Sequence, residues 1–326
     1  MSLRCVAASA LLLAVLPLGA AEDPLDAFPA DTGVVLRLGP PAEVTAKVKA
    51  FLNAAAPQFA AVADQLPPGL GSLFGNPTLA GVDAGRDWYL GVMPRPERRP
   101  AVVFAVPAAD AAALKKAVGE GYTFADAEDW VLYSLDAEAM AKVQGRVGGD
   151  GASVREAMTE SLRTVFGAGE AAAFLNVSPL RETYRAQIDR AKEQFLENAA
   201  RATPGAEADP AAKAGLEYNR KALEALLKAV DDTNGVATRL MIGEAALDSE
   251  AVVVVKPGSP SAELLAKQTT SDFPLLAKLP GGRLVYYGLA GDFSDLMEAS
   301  AGLSAGVLPQ SEEFQKLLAE ARELRF

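Results

Sequence analysis

One sequence pattern is typical of a catalytic nucleophile: Gly302-Leu303-Ser304-Ala305-Gly306 fits G-x-S-x-G. In a hydrolase this pattern places the serine in a sharp turn between a strand and a helix. The preceding residues, Asp292 to Ser300, have a helical pattern instead. A serine of this class also needs a histidine to accept its proton, and the chain contains none. No S-x-x-K sequence offers a lysine in its place, so we exclude a serine hydrolase of that type.

The residue types also restrict metal and redox chemistry. Zinc sites depend on cysteine and histidine, and the only cysteine is Cys5. Haem attachment and thiol chemistry require cysteines as well. Calcium needs only oxygen ligands, but no calcium-loop pattern occurs. The glycine-rich segments 69–75 and 148–151 match neither a dinucleotide-binding fingerprint nor a phosphate-binding loop. We therefore predict neither a cofactor nor a metal site.

A hydrolase that uses two carboxylates is the enzyme class least affected by these absences. The chain has 42 acidic residues, so a suitable pair could arise without any visible motif. Its two tryptophans, Trp88 and Trp130, both fall within predicted strands rather than in exposed positions where they could stack on a sugar. We keep this class as an alternative.

The first 21 residues have the layout of a secretory signal peptide. Arg4 supplies the positive charge, Val6 to Leu18 is an uncharged apolar run, and Gly19-Ala20-Ala21 offers small residues for cleavage. The apolar run, about 13 residues, is shorter than the roughly 20 that span a bilayer, and no later segment reaches that length. We predict an exported protein of the periplasm or extracellular space, without a transmembrane segment in its mature chain.

Cleavage after Ala21 would leave 326 − 21 = 305 residues with 31 − 1 = 30 basic and 42 acidic side chains, a net charge of −12. Nucleic acids and anionic membranes repel such a surface, so we expect neither as a partner. Without cysteines the mature chain forms no disulfides. A chain of this length buries a substantial core and commonly divides into two units.

The hydrophobic patterning predicts an α+β fold of two pseudo-repeats, residues 22–150 and 151–300, each with the order β-α-β-β-α-β. That order is found in the ferredoxin-like split βαβ unit. The alternative is one continuous α+β domain. In either case we expect antiparallel sheets with helices on one face. The first unit should contain strands at 33–39, 87–93, 101–106 and 130–135, helices at 41–64, 108–118 and 137–143, and a Pro/Gly-rich loop at 67–85.

The second unit should contain strands at 171–177, 235–243, 251–255 and 282–288, and a helix at 261–269. A long helical hairpin, residues 179–232, is predicted between its first two strands. A loop and an amphipathic helix should follow at 301–326. The helix ends on an apolar residue, Phe326, which leaves open whether a further domain followed.

Each arm of the hairpin carries an apolar stripe along one helix face. The stripe could bind another protein, or it could pack against the rest of its own domain. The candidate partner-binding residues are Leu180, Tyr184, Ile188, Phe195, Leu216 and Leu223.

Phe28-Pro29-Ala30-Asp31-Thr32, followed by the strand Val34 to Leu38, resembles the start of certain exported bacterial proteins. These belong to uncharacterised, domain-of-unknown-function families that open with Leu/Phe-Pro-x-Asp-Thr after a signal peptide. The segment Glu128 to Ser134 and the alanine-rich helix after it are also similar to their recurring strand-helix unit. The resemblance implies an exported, repeated α+β fold and brings no activity or site residues.

Taken together, these features favour an exported, non-enzymatic envelope protein that binds or scaffolds another envelope protein through the helical hairpin. The first alternative is a carrier of an apolar small molecule, since a sheet covered by helices can enclose an apolar cavity. The second is the carboxylate-only hydrolase. Candidate wall residues for a carrier are Val34, Leu36, Phe104, Leu284 and Tyr286.

Overall fold

The computed structural model describes residues 23–202, 210–244 and 246–268. These residues form a mixed fold of helices and one eight-stranded antiparallel sheet, which confirms the predicted α+β class. The strand order is β4-β5-β3-β2-β1-β6-β7-β8. The strands are β1 (Val34–Leu38), β2 (Trp88–Met93), β3 (Ala101–Pro107), β4 (Thr123–Ala127), β5 (Trp130–Ser134), β6 (Ala171–Asn176), β7 (Thr233–Ile242) and β8 (Leu247–Val255).

Nine α-helices join these strands in the part of the chain that the structure describes. They are α1 (Pro41–Ala55), α2 (Leu66–Leu73), α3 (Ala111–Val118), α4 (Ala137–Val147), α5 (Val154–Ala157), α6 (Glu160–Phe166), α7 (Val177–Ala202), α8 (Pro210–Asp232) and α9 (Pro260–Ala266). Two 3₁₀ helices lie at Pro24–Asp26 and Pro57–Gln65. The predicted signal peptide, the predicted strand at 282–288 and the segment 301–326 with Ser304 lie outside the described residues.

The strands β1 and β6, one from each predicted unit, are adjacent in the sheet, and β1 is one of its two central strands. Val35 of β1 is opposite Phe174 of β6, and both are fully buried. Because these two strands form hydrogen bonds to each other, one continuous sheet passes through both predicted units.

Helices pack on both faces of the sheet, so the prediction of helices on one face is wrong. Successive side chains of a strand point to opposite faces. In β5, Leu132 belongs to a core cluster that includes Met140 of α4 and Phe166 of α6. The neighbouring Tyr133 belongs to a second cluster with Leu114 of α3 and Phe74, the residue after α2. We call the face that carries α4 and α6 the closed face, and the face that carries α2 and α3 the α2 face.

Two elements of the first unit were missed by the sequence patterns. β4 is joined to β5 by a turn at Glu128 and Asp129, in which Glu128 has a φ of 51°. Turns with positive φ usually contain glycine or asparagine, so this turn gave no recognisable signal. α2 occupies part of the predicted loop 67–85, because the prolines at its start suit a first helical turn.

A buried arginine anchors the closed face. Arg37 of β1 has only 8% of its side chain exposed, and its Nε donates a hydrogen bond of 2.6 Å to the Asp87 carboxylate. Its Nη1 donates to the carbonyl oxygens of Phe166, Ala168 and Gly169, at 3.1–3.3 Å. One side chain thus joins the central strand to the end of α6.

The start of α7 lies beside the end of α8. Arg181 Nη1 donates a hydrogen bond of 2.8 Å to the carbonyl oxygen of Asp231. Further along, Lys192 and Glu224 form an ion pair at 3.9 Å. The contacts pair an early residue of α7 with a late residue of α8, so the two helices run in opposite directions.

Candidate functional site: an apolar cleft on the sheet

The α2 face of the sheet carries an apolar cleft with a volume of about 460 Å³. It begins under α2 and extends over β1, β6 and β7 to β8, where the described helices leave the sheet open. Leu36 of β1 and Leu240 of β7 lie in it with 41% and 38% of their surface exposed. Large side chains on a central strand are normally covered, so this exposure marks a surface suited to an apolar ligand. We call this site the α2-face cleft.

The strand register shows that the cleft runs across the strands. Two rows of lining residues follow from the pairing of β2, β1, β6, β7 and β8. The first row is Trp88, Leu38, Ala171, Leu240 and Ser249, and the second is Leu90, Leu36, Ala173 and Thr238. Four strand spacings of about 4.8 Å make the first row roughly 19 Å long. The cleft is therefore a trough about two side chains wide.

The floor of the trough is lowest at β6. Ala171 lies there between Leu38 and Leu240, and Ala173 lies between Leu36 and Thr238. A methyl side chain rises much less from the sheet than a leucine does. These two small residues give the trough its depth at the centre.

An aromatic wall closes the trough at its β2 end. Leu70, Leu73 and Phe74 lie above Trp88, and the Phe74 and Trp88 rings meet edge to face at 4.9 Å between centroids. Tyr133 donates its hydroxyl proton to the Phe74 carbonyl at 2.7 Å. Burial raises the pKa of the Tyr133 phenol, so this donor keeps its proton. The wall is therefore a fixed part of the fold.

The polar groups of the trough are few and lie at its β8 end. They are the exposed residues Thr238 and Ser249, whose hydroxyls can both donate and accept hydrogen bonds. Two arginines also border the trough, but both are engaged elsewhere: Arg37 with Asp87, and Arg239 with Glu250. Strand alternation places both guanidinium groups on the closed face. The trough thus offers hydroxyls and no uncommitted charge among the described lining residues.

Glu170 and Lys47 form an ion pair where β6 begins, next to the trough. Glu170 also accepts a hydrogen bond of 2.6 Å from the backbone N–H of Ile242. Burial alone would raise the pKa of Glu170, but the bonds from Lys47 and Ile242 outweigh it and lower this pKa below its ordinary value. The pair therefore holds α1 and β7 against the start of β6.

A lowered pKa predicts how stability depends on pH. The contribution of Glu170 is complete above its unfolded pKa of 4.5 and is lost as the pH falls through its lower folded pKa. We expect Glu170→Gln to be less stable than the unmodified protein at pH 7, with a difference that shrinks below pH 4.5. Urea unfolding at several pH values measures this. Glu120→Gln, at an exposed turn position, is the control, and a difference that does not change with pH would contradict the prediction.

The predicted partner-binding residues lie away from this cleft, on α7 and α8. Leu180, Tyr184, Ile188, Leu216 and Leu223 are half-buried, while Phe195 is exposed. Leu180 lies close enough to Gly33 that a Cβ there would come within 2.6 Å of it, so this residue packs against the start of β1.

Of the wall residues predicted for a carrier, Leu36 lines the cleft. Val34 and Phe104 do not, and Phe104 instead packs against Phe74 and Tyr133. Leu284 and Tyr286 lie outside the described residues. Sequence patterns did not identify Ala171, Ala173, Leu70 and Leu73 as lining residues. No sequence pattern shows which part of a sheet face is left without a helix over it.

The Phe-Pro-Ala-Asp-Thr segment has a structural role. Phe28 is fully buried, and a Cβ at Gly91 would come within 2.5 Å of its ring. The Phe28 carbonyl accepts a hydrogen bond of 2.9 Å from Val154 N–H, and the Ala30 carbonyl accepts one of 2.9 Å from Asn176. The segment thereby fastens the start of the described chain to α5 and β6.

Within residues 23–202, 210–244 and 246–268, no three metal-ligating side chains come together. No helix in these same ranges combines the length and apolar character that a bilayer crossing requires.

No protein-family model, curated protein or solved structure matches this chain. We therefore infer function from the geometry and chemistry of the α2-face cleft.

Proposed function

We propose that the protein is an exported, non-enzymatic binding protein of the cell envelope that carries an apolar small molecule in the α2-face cleft. The observation that supports this most directly is the 460 Å³ trough lined by leucine, alanine and aromatic side chains. Binding pockets for small molecules are typically a few hundred Å³, mostly apolar, with a few polar groups that fix orientation. The trough has this composition.

The carboxylates give little support to a hydrolase. Such an enzyme needs an acid with a raised pKa. Four carboxyl groups of the described residues have clearly shifted pKa values, and all four are lowered, each beside a lysine or arginine side chain. They are Asp136, Glu170, Glu217 and Asp232.

The proposal is tested by native mass spectrometry of the mature protein purified from its own host, followed by the same measurement after denaturation. We expect an extra mass that disappears on denaturation, and the released compound should be apolar. A bare mass that stays bare after incubation with extracts of apolar compounds would overturn the carrier function.

A scaffolding role through α7 and α8 is the second candidate. We propose that these helices form the hairpin predicted for residues 179–232. Phe195 and Leu226 are exposed by 49% and 62%, and Val230 of α8 is also exposed. Apolar side chains on two adjacent helices can form the centre of a protein interface.

Scaffolding through α7 and α8 predicts that polar substitutions on these helices remove a bound partner protein. The substitutions Phe195→Gln and Leu226→Gln together should remove a co-purifying envelope protein while the unfolding free energy changes by less than about 0.5 kcal/mol, since both side chains are exposed. Phe59→Gln with Val62→Thr, two exposed residues of the 3₁₀ helix at Pro57–Gln65, is the matched control. Retention of the same partner by the α7–α8 variant would contradict scaffolding through these helices.

We also propose that the chain contains two pseudo-repeats of the order β-α-β-β-α-β, related by an approximate two-fold axis between β1 and β6. The order of elements supports this. Outward from this axis, β1-β2-β3 on one side correspond to β6-β7-β8 on the other, and α3 corresponds to α9. The helices α1 and α2 take the place that α7 and α8 occupy in the second unit.

Export and the family resemblance remain proposals of the sequence. Sequencing the N-terminus of the protein from its host tests the first. An N-terminus at Glu22 supports cleavage after Ala21, and one at Met1 contradicts it.

A further inference from the structure

We infer that the ligand of the α2-face cleft is a single unbranched aliphatic chain with an uncharged, hydrogen-bonding head group. The aliphatic chain of the ligand lies across the strands, with its tail under α2 and its head group at Thr238 and Ser249. This inference rests on the proposed carrier function and specifies the class of ligand.

The shape of the cleft selects a linear ligand. Its longer row of side chains extends across five strands, roughly 19 Å at about 4.8 Å per strand spacing, but each strand contributes at most two lining residues. At about 30 Å³ for a water-sized group, 460 Å³ holds on the order of 15 such groups. A chain of about that many carbon and oxygen atoms fits the trough. A compact ring system would leave the ends of the trough empty.

The chemistry of the two ends sets the direction of the chain. Trp88, Leu70 and Phe74 at the β2 end offer apolar contact to a hydrocarbon tail. Thr238 and Ser249 are the only hydroxyl-bearing side chains among the described lining residues, and both lie at the β8 end. Their hydroxyls can pair with an alcohol or an ester.

The charges around the trough explain why the head should be neutral. The lining arginines Arg37 and Arg239 are bound to Asp87 and Glu250. A charged head group would find no uncommitted partner of opposite charge among the described lining residues, whereas a neutral head group can use both hydroxyls as hydrogen-bond partners without one.

The test compares probes that differ in one property. Trp130→Phe leaves Trp88 as the sole tryptophan, at the tail end of the cleft, because the chain has two. Dodecanol, dodecanoate, dodecylamine and a tetracyclic sterol are titrated into this mature protein. Binding is followed by Trp88 emission and by calorimetry. We expect dodecanol to bind at least ten-fold more tightly than either charged chain, and the sterol to bind weakly.

The outcomes separate this inference from the proposed function. Equal or tighter binding of a charged chain overturns the neutral head, and tighter binding of the sterol overturns the linear shape. Either result leaves a carrier function intact. If none of the four probes binds, both the inferred ligand class and the proposed carrier function are overturned.

A double variant that removes both hydroxyls tests the orientation of the ligand in the cleft. Thr238→Val with Ser249→Ala should weaken dodecanol binding roughly five-fold, the loss expected for a net hydrogen bond. Dodecane should bind the variant and the unmodified protein equally. Thr164→Val, on α6 at the closed face, is the control. Unchanged dodecanol affinity in the hydroxyl variant would overturn the proposed direction.

Discussion

Ala173→Phe is expected to abolish ligand binding in the α2-face cleft and to leave the protein folded. Ala173 lies at the deepest part of the trough, between Leu36 and Thr238 in the strand register. A phenyl ring there fills the space that a ligand would occupy. The ring points to the open side of the sheet, so no buried neighbour has to move.

The measurement is the amount of co-purified or titrated ligand per protein, together with the free energy of unfolding in urea. Leu175→Phe is the matched control. Leu175 is on the same strand and the same face, two residues further along, and does not line the cleft. We expect it to bind ligand normally. Full binding by Ala173→Phe would show that the trough is not the site.

Arg37→Met is expected to lower the free energy of unfolding by about 3–5 kcal/mol, as for other buried ion pairs that lose one partner. The substitution leaves the Asp87 carboxylate without its partner. It also removes the donor to three carbonyl oxygens around Ala168. Methionine has a similar length and preserves much of the packing, so the loss reports on the polar network.

Urea unfolding at pH 7 measures this loss. Lys49→Ala is the control, because its ion pair with Asp64 is half exposed on both sides and should contribute less than about 1 kcal/mol. The loss in unfolding free energy for Arg37→Lys should lie between those two values. A lysine keeps the charge but has no planar guanidinium group to bond Asp87 and the carbonyl oxygens at the same time. A loss for Arg37→Met no larger than that of Lys49→Ala would contradict the anchoring role.

The sequence patterns were most informative where a segment has strong periodicity. The apolar alternation of β1 and the long stripes of α7 and α8 gave element types with bounds close to those observed. β4 was missed because its turn uses glutamate in place of glycine, and α2 was missed because a segment rich in proline and glycine is typical of a loop. In both segments the local signal was atypical, and packing against the rest of the protein determined the conformation.

The candidate site could be predicted only in part. The strand patterns predict Leu36 as a wall residue, and it lines the cleft, but they equally predict Val34 and Phe104, which do not. Alternation tells which residues share a face, but not whether a helix covers that face. Ala171 and Ala173 matter because of what lies beside them on β1 and β7, and strand pairing brings those neighbours together.

The sequence by itself determined the residue types available for chemistry and the α+β class. The absence of histidine excludes a serine hydrolase with a histidine base, whatever the fold. Only the tertiary structure decided that one sheet passes through both predicted units and that the described helices leave part of its α2 face uncovered. The physical reason is that strand order and helix placement depend on pairings between residues far apart in the chain, such as β1 with β6. No local pattern carries that information.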